Sequence, residues 1–105
     1  MTDTPQSADR AVTTATITTV EPARIILRLC KHWGHKFAVD YDDTQGRVEL
    51  PAALLLMHAG DGQLTFRVEA QPDADIARLE QVVADHAQRM ARSETFTWDW
   101  QRSAA

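Results

Sequence analysis

The chain contains 105 residues, of which 44% are hydrophobic and 25% are charged, and its formal net charge is −4. A chain of this length predicts one domain with a single two-layer core and leaves no room for a second. The acidic balance argues against a general nucleic-acid binder, because affinity for the phosphate backbone requires an excess of Lys and Arg.

Cysteine content and the length of the apolar runs indicate the cellular compartment in which the protein is expected. The single cysteine, Cys30, excludes an intramolecular disulfide and is typical of a reducing interior. The N-terminus lacks the cationic start and apolar stretch of a signal peptide. The longest apolar run, residues 50–57, is much shorter than the ~20 residues needed to cross a bilayer. We therefore expect a cytoplasmic protein with no membrane partner.

The first elements along the chain are a strand and a helix. β-branched residues predict a strand at 14–20. Glu21 and Pro22 then interrupt this pattern, and Pro at the first turn favours the start of a helix that runs to about His35.

Two hairpins follow the first helix. Alternating side chains at 37–41 and 48–50 flank the polar turn 42–46, which predicts the first hairpin. An apolar run at 54–57 and an alternating run at 64–68 flank a Gly-Asp-Gly sequence, which is typical of a second tight turn.

The last elements are a second helix and a strand. Pro72 and Asp73 predict the start of the helix, with Asp73 as its N-cap. The inward stripe of this helix is predicted to contain Ile76, Leu79, Val83, His86 or Ala87, and Met90. Phe96, Trp98 and Trp100 alternate with polar residues, so the chain is predicted to close with an aromatic-faced strand.

This order, β-α-β-β-β-β or β-α-β-β-β followed by α-β, predicts the α+β class. Consecutive hairpins require antiparallel neighbours, and two amphipathic helices need one shared face on which to bury their stripes. We expect an antiparallel sheet of about five strands with both helices packed on one face, in a domain over residues 14–101. Residues 1–13 are predicted to form a disordered tail, and residues 102–105 a short C-terminal tail.

The second face of this sheet presents a difficulty. Leu54, Leu55 and Leu56 are contiguous, so they must present apolar groups to both faces. Exposed apolar patches of several hundred Å² are uncommon on monomers. The sequence therefore favours a homodimer that covers the second face.

One face of the first predicted helix carries only cationic or protonatable residues. At ~100° per residue they span an arc of ~140°. The six residues are Arg24, Arg28, Lys31, His32, His35 and Lys36. The opposite side carries Ala23, Ile26, Leu29, Cys30, Trp33 and Phe37. Because no acid lies between Arg24 and Lys36, this basic face is the candidate binding surface for an anionic small molecule or an acidic protein partner, although a solvated helix face explains it as well.

Metal binding is an alternative for part of this surface. Imidazole and thiolate are the usual ligands of zinc and related ions, so His32 and His35, with Cys30, are candidate ligands for a transition metal or haem. On a helix the two histidines lie ~60° apart, whereas Cys30 points ~140° or more away from them, toward the core. Cys30 is more simply read as a buried small hydrophobe.

Catalytic motifs are absent from the sequence. There is no P-loop, Rossmann glycine pattern, serine elbow or HExxH motif, which favours a non-enzymatic protein. An enzyme with His35 or His86 as general base is the remaining catalytic hypothesis, although His86 is predicted to be a partly buried packing residue. Trp98 and Trp100 are predicted either to join the core or to stack on a planar ligand.

Three segments carry a family resemblance: Arg-Leu-Cys-Lys-His-Trp-Gly-His-Lys-Phe at 28–37, Gly-Arg-Val-Glu at 46–49 and Leu-Glu-Gln-Val-Val-Ala-Asp-His at 79–86. Together they resemble the bacterial family called domain of unknown function 2218, over roughly residues 14–101. The resemblance implies a small α+β fold similar to the C-terminal domain of phosphohexomutases, and no established activity, cofactor or catalytic residue. Relatives occur beside or fused to siderophore-interacting flavoproteins, which implies a link to iron metabolism by association only.

The hypothesis favoured by the sequence is a small, dimeric, non-enzymatic accessory domain. Its basic helix face is expected to bind an anionic small molecule, such as a carboxylate, a phosphate or an iron chelate, or an acidic protein partner. Metal or haem binding through His32 and His35, and acid-base catalysis by a histidine, are the alternatives.

Overall fold

The computed structural model describes residues 11–104, which form a six-stranded antiparallel sheet and two helices. The strands are β1 (Ala11–Thr18), β2 (Val39–Tyr41), β3 (Gln45–Leu50), β4 (Ala53–Gly60), β5 (Gln63–Ala70) and β6 (Gln101–Ala104). The helices are α1 (Pro22–Trp33) and α2 (Ile76–Met90). The predicted α+β class is confirmed, and the longer of the two predicted orders is correct. Within residues 11–104, neither helix is long and apolar enough to cross a membrane.

The sheet has the strand order β2-β3-β4-β5-β1-β6, and every neighbouring pair is antiparallel. Strands β2 to β5 follow one another through short turns, as the two predicted hairpins require. Gly62 in the β4–β5 turn has a φ of 72°, a conformation that costs glycine little. β1 lies between β5 and β6, so the described chain begins and ends within the sheet.

Both helices pack against the same face of the sheet. The fully buried or nearly buried residues of α1 are Ile25, Ile26, Leu29, Cys30 and Trp33. In α2, Val83 and Ala87 are fully buried, while the other predicted stripe residues are partly buried against the same core. The predicted inward position of Ala23 is wrong: it is exposed in the first turn of α1, although it lies only about 60° around the helix from the buried Ile26.

Helix α1 approaches the sheet most closely at Gly46 in β3. A Cβ atom at this position would lie 2.9 Å from Cγ2 of Ile26 and 3.0 Å from Cε of Met57. Real Cβ atoms essentially never make contacts this short, so glycine lets α1 lie directly over β3.

The N-cap of α2 differs from the prediction by two residues. Asp75, not Asp73, is the N-cap, and its Oδ1 accepts a hydrogen bond from the backbone N–H of Arg78 at 3.1 Å. The residues before Asp75 form a turn in which the backbone N–H of Ala74 donates to the carbonyl of Gln71. Both Asp73 and Asp75 carry the residue type that caps helices, and the turn geometry selects the second.

The predicted tails are shorter than expected. Residues 11–13 belong to β1, because they pair with β5 on one side and β6 on the other. Residues 102–104 likewise belong to β6. These short segments form strands because the neighbouring strands supply the backbone hydrogen bonds. The other residues of the predicted tails, 1–10 and 105, lie outside the described residues.

The predicted aromatic strand is wrong. Phe96, Trp98 and Trp100 lie in a segment without regular secondary structure, and β6 starts only at Gln101. The ring of Trp98 packs against Phe66 of the core, with ring centroids 5.3 Å apart. Trp98 and Trp100 stack on each other at 5.6 Å, so aromatic packing rather than strand pairing fixes this segment.

Glu80 of α2 joins three elements. Its side chain accepts hydrogen bonds from Oγ1 of Thr13 at 2.7 Å and from Nε and an Nη of Arg102 at 2.9 and 2.7 Å. Glu80 is only 8% exposed, so these bonds compensate the cost of burying its charge. They tie α2 to β1 and to the last strand.

Replacing Arg102 with Gln should lower the free energy of unfolding by about 1–3 kcal/mol, because Glu80 stays buried but loses two charge-assisted hydrogen bonds. Urea unfolding measures this change. Arg92→Gln, which removes the same charge from an exposed residue after α2, should change stability by less than about 0.5 kcal/mol. An equal effect of the two substitutions would contradict this role of Arg102.

The same variant has a predictable pH dependence. Hydrogen bonds from Arg102, and then from Thr13, lower the pKa of Glu80 below its usual value of 4.5, against the opposing effect of burial. A carboxylate with a lowered pKa in the folded state stabilises the protein above its usual pKa and loses this contribution as the pH falls through the lowered value. The stability difference between wild type and Arg102→Gln should therefore be full at neutral pH and shrink below about pH 4.5.

Candidate ligand-binding cleft between the helices

The six residues of the predicted basic face do not share one helix. Helix α1 ends at Trp33, two residues before the predicted end, so His35 and Lys36 lie in the turn that follows it. The backbone N–H groups of Lys36 and Phe37 both donate to the carbonyl of Trp33, at 3.0 and 2.9 Å. This turn redirects the chain away from the helix axis. The prediction assumes that the helical period continues through Lys36, so it places His35 and Lys36 on the same helix face as the earlier residues.

The other basic residues of α1 point elsewhere. Arg24 lies 3.6 Å from the carboxylate of Glu21, in an ion pair one turn away. Arg28 donates to the backbone carbonyl of Met90 at 2.6 Å and so binds the C-terminal end of α2. A cation at this position complements the negative end of the helix dipole. Arg24 and Arg28, like the exposed Lys31, do not line the cleft described next.

His32, His35 and Lys36 line a cleft of about 670 Å³, which we call the interhelix cleft. Helix α1 and the turn after it contribute His32, Trp33, His35, Lys36 and Phe37. The end of β3 contributes Leu50, and the turn that follows it contributes Pro51 and Ala52. Helix α2 and its N-cap contribute Asp75, Arg78, Leu79, Val82 and His86. A volume of this size is typical of small-molecule sites.

The interhelix cleft combines an apolar lining with a positive rim. Most of its lining residues are aromatic, aliphatic or imidazole side chains. Lys36 and Arg78 contribute two positive charges and Asp75 one negative charge, which leaves a net charge of +1 with the histidines neutral. Asp75 is also engaged as the N-cap of α2. The cleft is therefore positive within a chain whose net charge is −4.

His86 lies at the centre of an aromatic group inside the cleft. Its ring centroid is 5.0 Å from that of Trp33 and 5.3 Å from that of His32. Its Nδ1 lies 2.7 Å from the backbone carbonyl of Val82. Because a carbonyl oxygen can only accept, Nδ1 carries a proton, and in the neutral ring Nε2 has the free lone pair. The predicted partial burial of His86 is confirmed.

Sequence reasoning missed the contribution of α2 to this site. The α2 residues that line the cleft are separated by three, one, three and four positions, which places them along one side of the helix. They are Asp75, Arg78, Leu79, Val82 and His86. This side adjoins the buried stripe, to which the sequence pattern assigns Leu79 and His86. A basic residue and a histidine on that side were the signal that could have indicated a cleft.

Comparison with known proteins identifies the family. The family model described as an uncharacterized protein conserved in bacteria, DUF2218, matches residues 14–101. The chain belongs to this family. It is also similar to the NMR structure of PA4090 from Pseudomonas aeruginosa, with 34% sequence identity, a TM-score of 0.72, and coverage of 86% of this chain and 94% of that one. No curated protein matches the chain.

The DUF2218 resemblance predicted from the three segments is thus confirmed. Two of those segments, 28–37 and 79–86, contribute residues to the interhelix cleft from opposite sides. The family and PA4090 support the fold, but their descriptions assign no activity.

Cys30 does not join His32 and His35. Its side chain is fully buried on the sheet side of α1, where a Cβ atom at Gly46 would lie 3.4 Å from its Sγ. Burial raises the pKa of the Cys30 thiol to about 11, although a hydrogen bond from the backbone of Arg47 opposes this shift. Within residues 11–104, no group of three or more His, Cys, Asp or Glu side chains is arranged to hold a metal ion.

The remaining candidate residues also lie apart from the cleft. Asp85 accepts a hydrogen bond from Gln81 at 2.8 Å and does not pair with the adjacent His86. Trp98 and Trp100 pack near Phe66, as the core hypothesis for them predicts.

Cys30 should be unreactive in the folded protein. The thiolate is the reactive species, and a buried thiol with a pKa of about 11 is almost entirely protonated near neutral pH. An aromatic disulfide reagent at neutral pH should label less than one tenth of the protein in the time that it labels the urea-unfolded chain completely. Rapid labelling of the folded protein would contradict the buried position of Cys30.

Proposed function

We propose that the interhelix cleft binds a small anionic molecule with an apolar body, and that this is the function of the domain. The observation that carries the proposal is the convergence of Lys36 and Arg78, from opposite sides, on one largely apolar cleft. This proposal narrows the basic-face hypothesis to His32, His35 and Lys36 and adds Arg78 from α2.

The charge distribution supports an anion. Lys36 and Arg78 have no ion-pair partner among residues 11–104, so their charges are available to a ligand. Arg24 and Arg28, by contrast, already bind Glu21 and the end of α2. A guanidinium and an ammonium on the rim of an apolar cleft favour a carboxylate or phosphate, and their charge-assisted hydrogen bonds are stronger than neutral ones.

The shape of the site supports a small molecule rather than a protein surface. Small-molecule sites are concave and mostly apolar, with a few polar groups that fix the orientation of the ligand. The apolar lining on which the aromatic or aliphatic part of a ligand can pack is provided by Trp33, Phe37, Leu79 and Val82.

Titration with benzoate followed by NMR tests this proposal. Benzoate should shift the indole resonance of Trp33, and Lys36→Gln and Arg78→Gln should each weaken binding about fivefold, on the order of 1 kcal/mol for one charge-assisted hydrogen bond. Benzyl alcohol lacks the negative charge and acetate lacks the apolar body, so both should bind more weakly than benzoate.

Lys31→Gln is the matched control, because Lys31 is an exposed cation of the same segment that lies outside the cleft. It should leave benzoate affinity unchanged. Equal losses in the Lys31, Lys36 and Arg78 variants would indicate only a general effect of charge and would contradict a defined site. A defined anion site would also be contradicted if neither benzoate nor phenyl phosphate shifted the NMR resonances of residues that line the cleft.

A second candidate function is transition-metal binding by His32 and His86. The ring centroids of these two histidines are 5.3 Å apart, a spacing compatible with two ring nitrogens that bind one ion at about 2.0–2.1 Å. The free Nε2 of His86 is available for this role. Such a site differs from the predicted His32/His35 pair, and it needs further ligands from water or from a bound anion.

Zinc titration by calorimetry distinguishes the histidines. If His32 and His86 bind the ion, replacing either with Gln should weaken zinc binding about tenfold or more, as loss of one of two protein ligands requires. His58→Gln is the control, because His58 is exposed on β4 and does not line the cleft. Equal zinc affinity in all three variants would rule out the pair.

The iron-chelate hypothesis and the enzyme hypothesis both involve residues that line the interhelix cleft. An iron chelate such as ferric citrate is an anion and can be tested against the same variants. For catalysis, His35 and His86 both line the cleft, but none of the lining residues is a Ser, Thr or Cys nucleophile. Binding is therefore the function for which the lining provides more support.

A further inference from the structure

Four of the charges on the face of the sheet opposite the helices lie in two rows, and Asp40 of β2, which pairs with Arg47, is a further acidic residue on this face. Leu55 points inward and is fully buried, so its neighbours Leu54 and Leu56 point outward, where they are half-buried. The strand register places Leu56 between Arg47 and Arg67, which form the cationic row. It places Leu54 between Glu49 and Glu69, which form the acidic row.

The two rows are adjacent and parallel. Each arginine is two residues from a glutamate on the same strand, a separation of about 6.8 Å along the strand. Within the chain, Arg47 pairs with Glu49 at 2.7 Å and Arg67 pairs with Glu69 at 2.9 Å. A leucine occupies the centre of each row, on β4.

We propose that this face binds a second copy of the chain in a two-fold symmetric dimer. The two-fold axis would lie in the interface, parallel to the rows and midway between them. This inference is independent of the proposed ligand, because the interhelix cleft lies on the helix side of the sheet.

The arrangement is self-complementary under this rotation. Each strand faces the same strand of the other copy in the opposite direction, so the two rows exchange places. Arg47 then lies over the partner's Glu49, Arg67 over the partner's Glu69, and Leu54 over the partner's Leu56. In an isologous interface a contact from residue i to residue j of the other copy repeats from j to i, so each of these contacts occurs twice.

The concavities on this face of the sheet are compatible with the same pairing of the two copies. A concavity of about 490 Å³ lies beside the cationic row and one of about 300 Å³ beside the acidic row. The rotation places the acidic row of one copy beside the larger concavity of the other, whose lining contains Arg47 and Arg67 together with Asp40 and Asp42. Sheets that pack face to face in an aligned manner cross at about −30°, so the row register is best near the centre of the sheet, at β4 and β5.

The area is sufficient for a dimer of moderate affinity. The six strands contain 37 residues and, at about 4.8 Å between strands and about 3.4 Å per residue, give a face of roughly 600 Å². This is about three quarters of the roughly 800 Å² that each partner buries in a standard interface. Only two leucines occupy the centre, and the ion pairs must lose water, so we expect micromolar rather than nanomolar association.

Paired charge reversals test the interface. Arg47→Glu makes the β3 part of both rows acidic, and Glu49→Arg makes it basic; both side chains are about half exposed, at 50% and 53%, so the fold should tolerate either change. The wild type should sediment as a dimer at about 100 µM. Each single variant should raise the dimer dissociation constant about tenfold or more, through like charges across the interface.

An equimolar mixture of the two variants gives the decisive result. The acidic copy complements the basic copy, so heterodimers should form with an affinity near that of the wild type, although each variant alone has lost its Arg47–Glu49 pair within the chain. Native mass spectrometry resolves the heterodimer by its mass. Arg89→Glu and Asp85→Arg, which make the same charge changes on α2, are the controls and should dimerise as the wild type does.

Three results would overturn the proposal. A wild type that stays monomeric at about 100 µM would exclude a dimer of this size and affinity. A dimer of unchanged affinity in both single variants would place the contact on another surface. Homodimers weakened in the single variants without recovery in the mixture would show that the reversals act within each chain and not across a two-fold interface.

Discussion

Burial of both helices on one face of a single sheet is the constraint on which the other features depend. The stripes of α1 and α2 can lose contact with water only on that face, and Phe66, Leu55 and Val68 receive them there. Gly46 allows α1 to lie directly over β3, and Glu80 ties α2 to β1 and β6. The helices meet where the rings of Trp33 and His86 come within 5.0 Å, and the cleft opens beside this contact.

Local sequence patterns predicted most elements because their physical causes are local. Side-chain alternation indicates strands, the Gly-Asp-Gly sequence indicates the β4–β5 turn, and the helical period indicates both helices. The aromatic segment at 96–100 shows the same alternation, yet its conformation is set by packing of Trp98 against Phe66, which is distant in sequence. Residues 11–13 are a strand for the same kind of reason, since β5 and β6 pair with them.

The candidate site could be predicted only in part. His32, His35 and Lys36 stand out as cationic residues in one segment, and all three line the cleft. Arg28 has the same charge and helix face but binds the end of α2, which illustrates why uniform sign alone does not define a site. The addition of Arg78 and His86 depends on how two helices lie relative to each other, and this arrangement follows from packing of the whole sheet.

The interhelix cleft and the face that carries the two charged rows lie on opposite sides of the sheet. A dimer formed through the charged rows therefore leaves both clefts accessible. The β3–β4 connection is the short path between them. Leu50, Pro51 and Ala52 line the cleft, while Glu49 and Leu54, which flank them in the chain, belong to the acidic row. If anion binding displaces this connection, the acidic row is displaced with it, because Glu49 and Leu54 lie in the same short segment of the chain. By linkage, any such effect of ligand on dimer affinity requires an equal effect of dimerisation on ligand affinity.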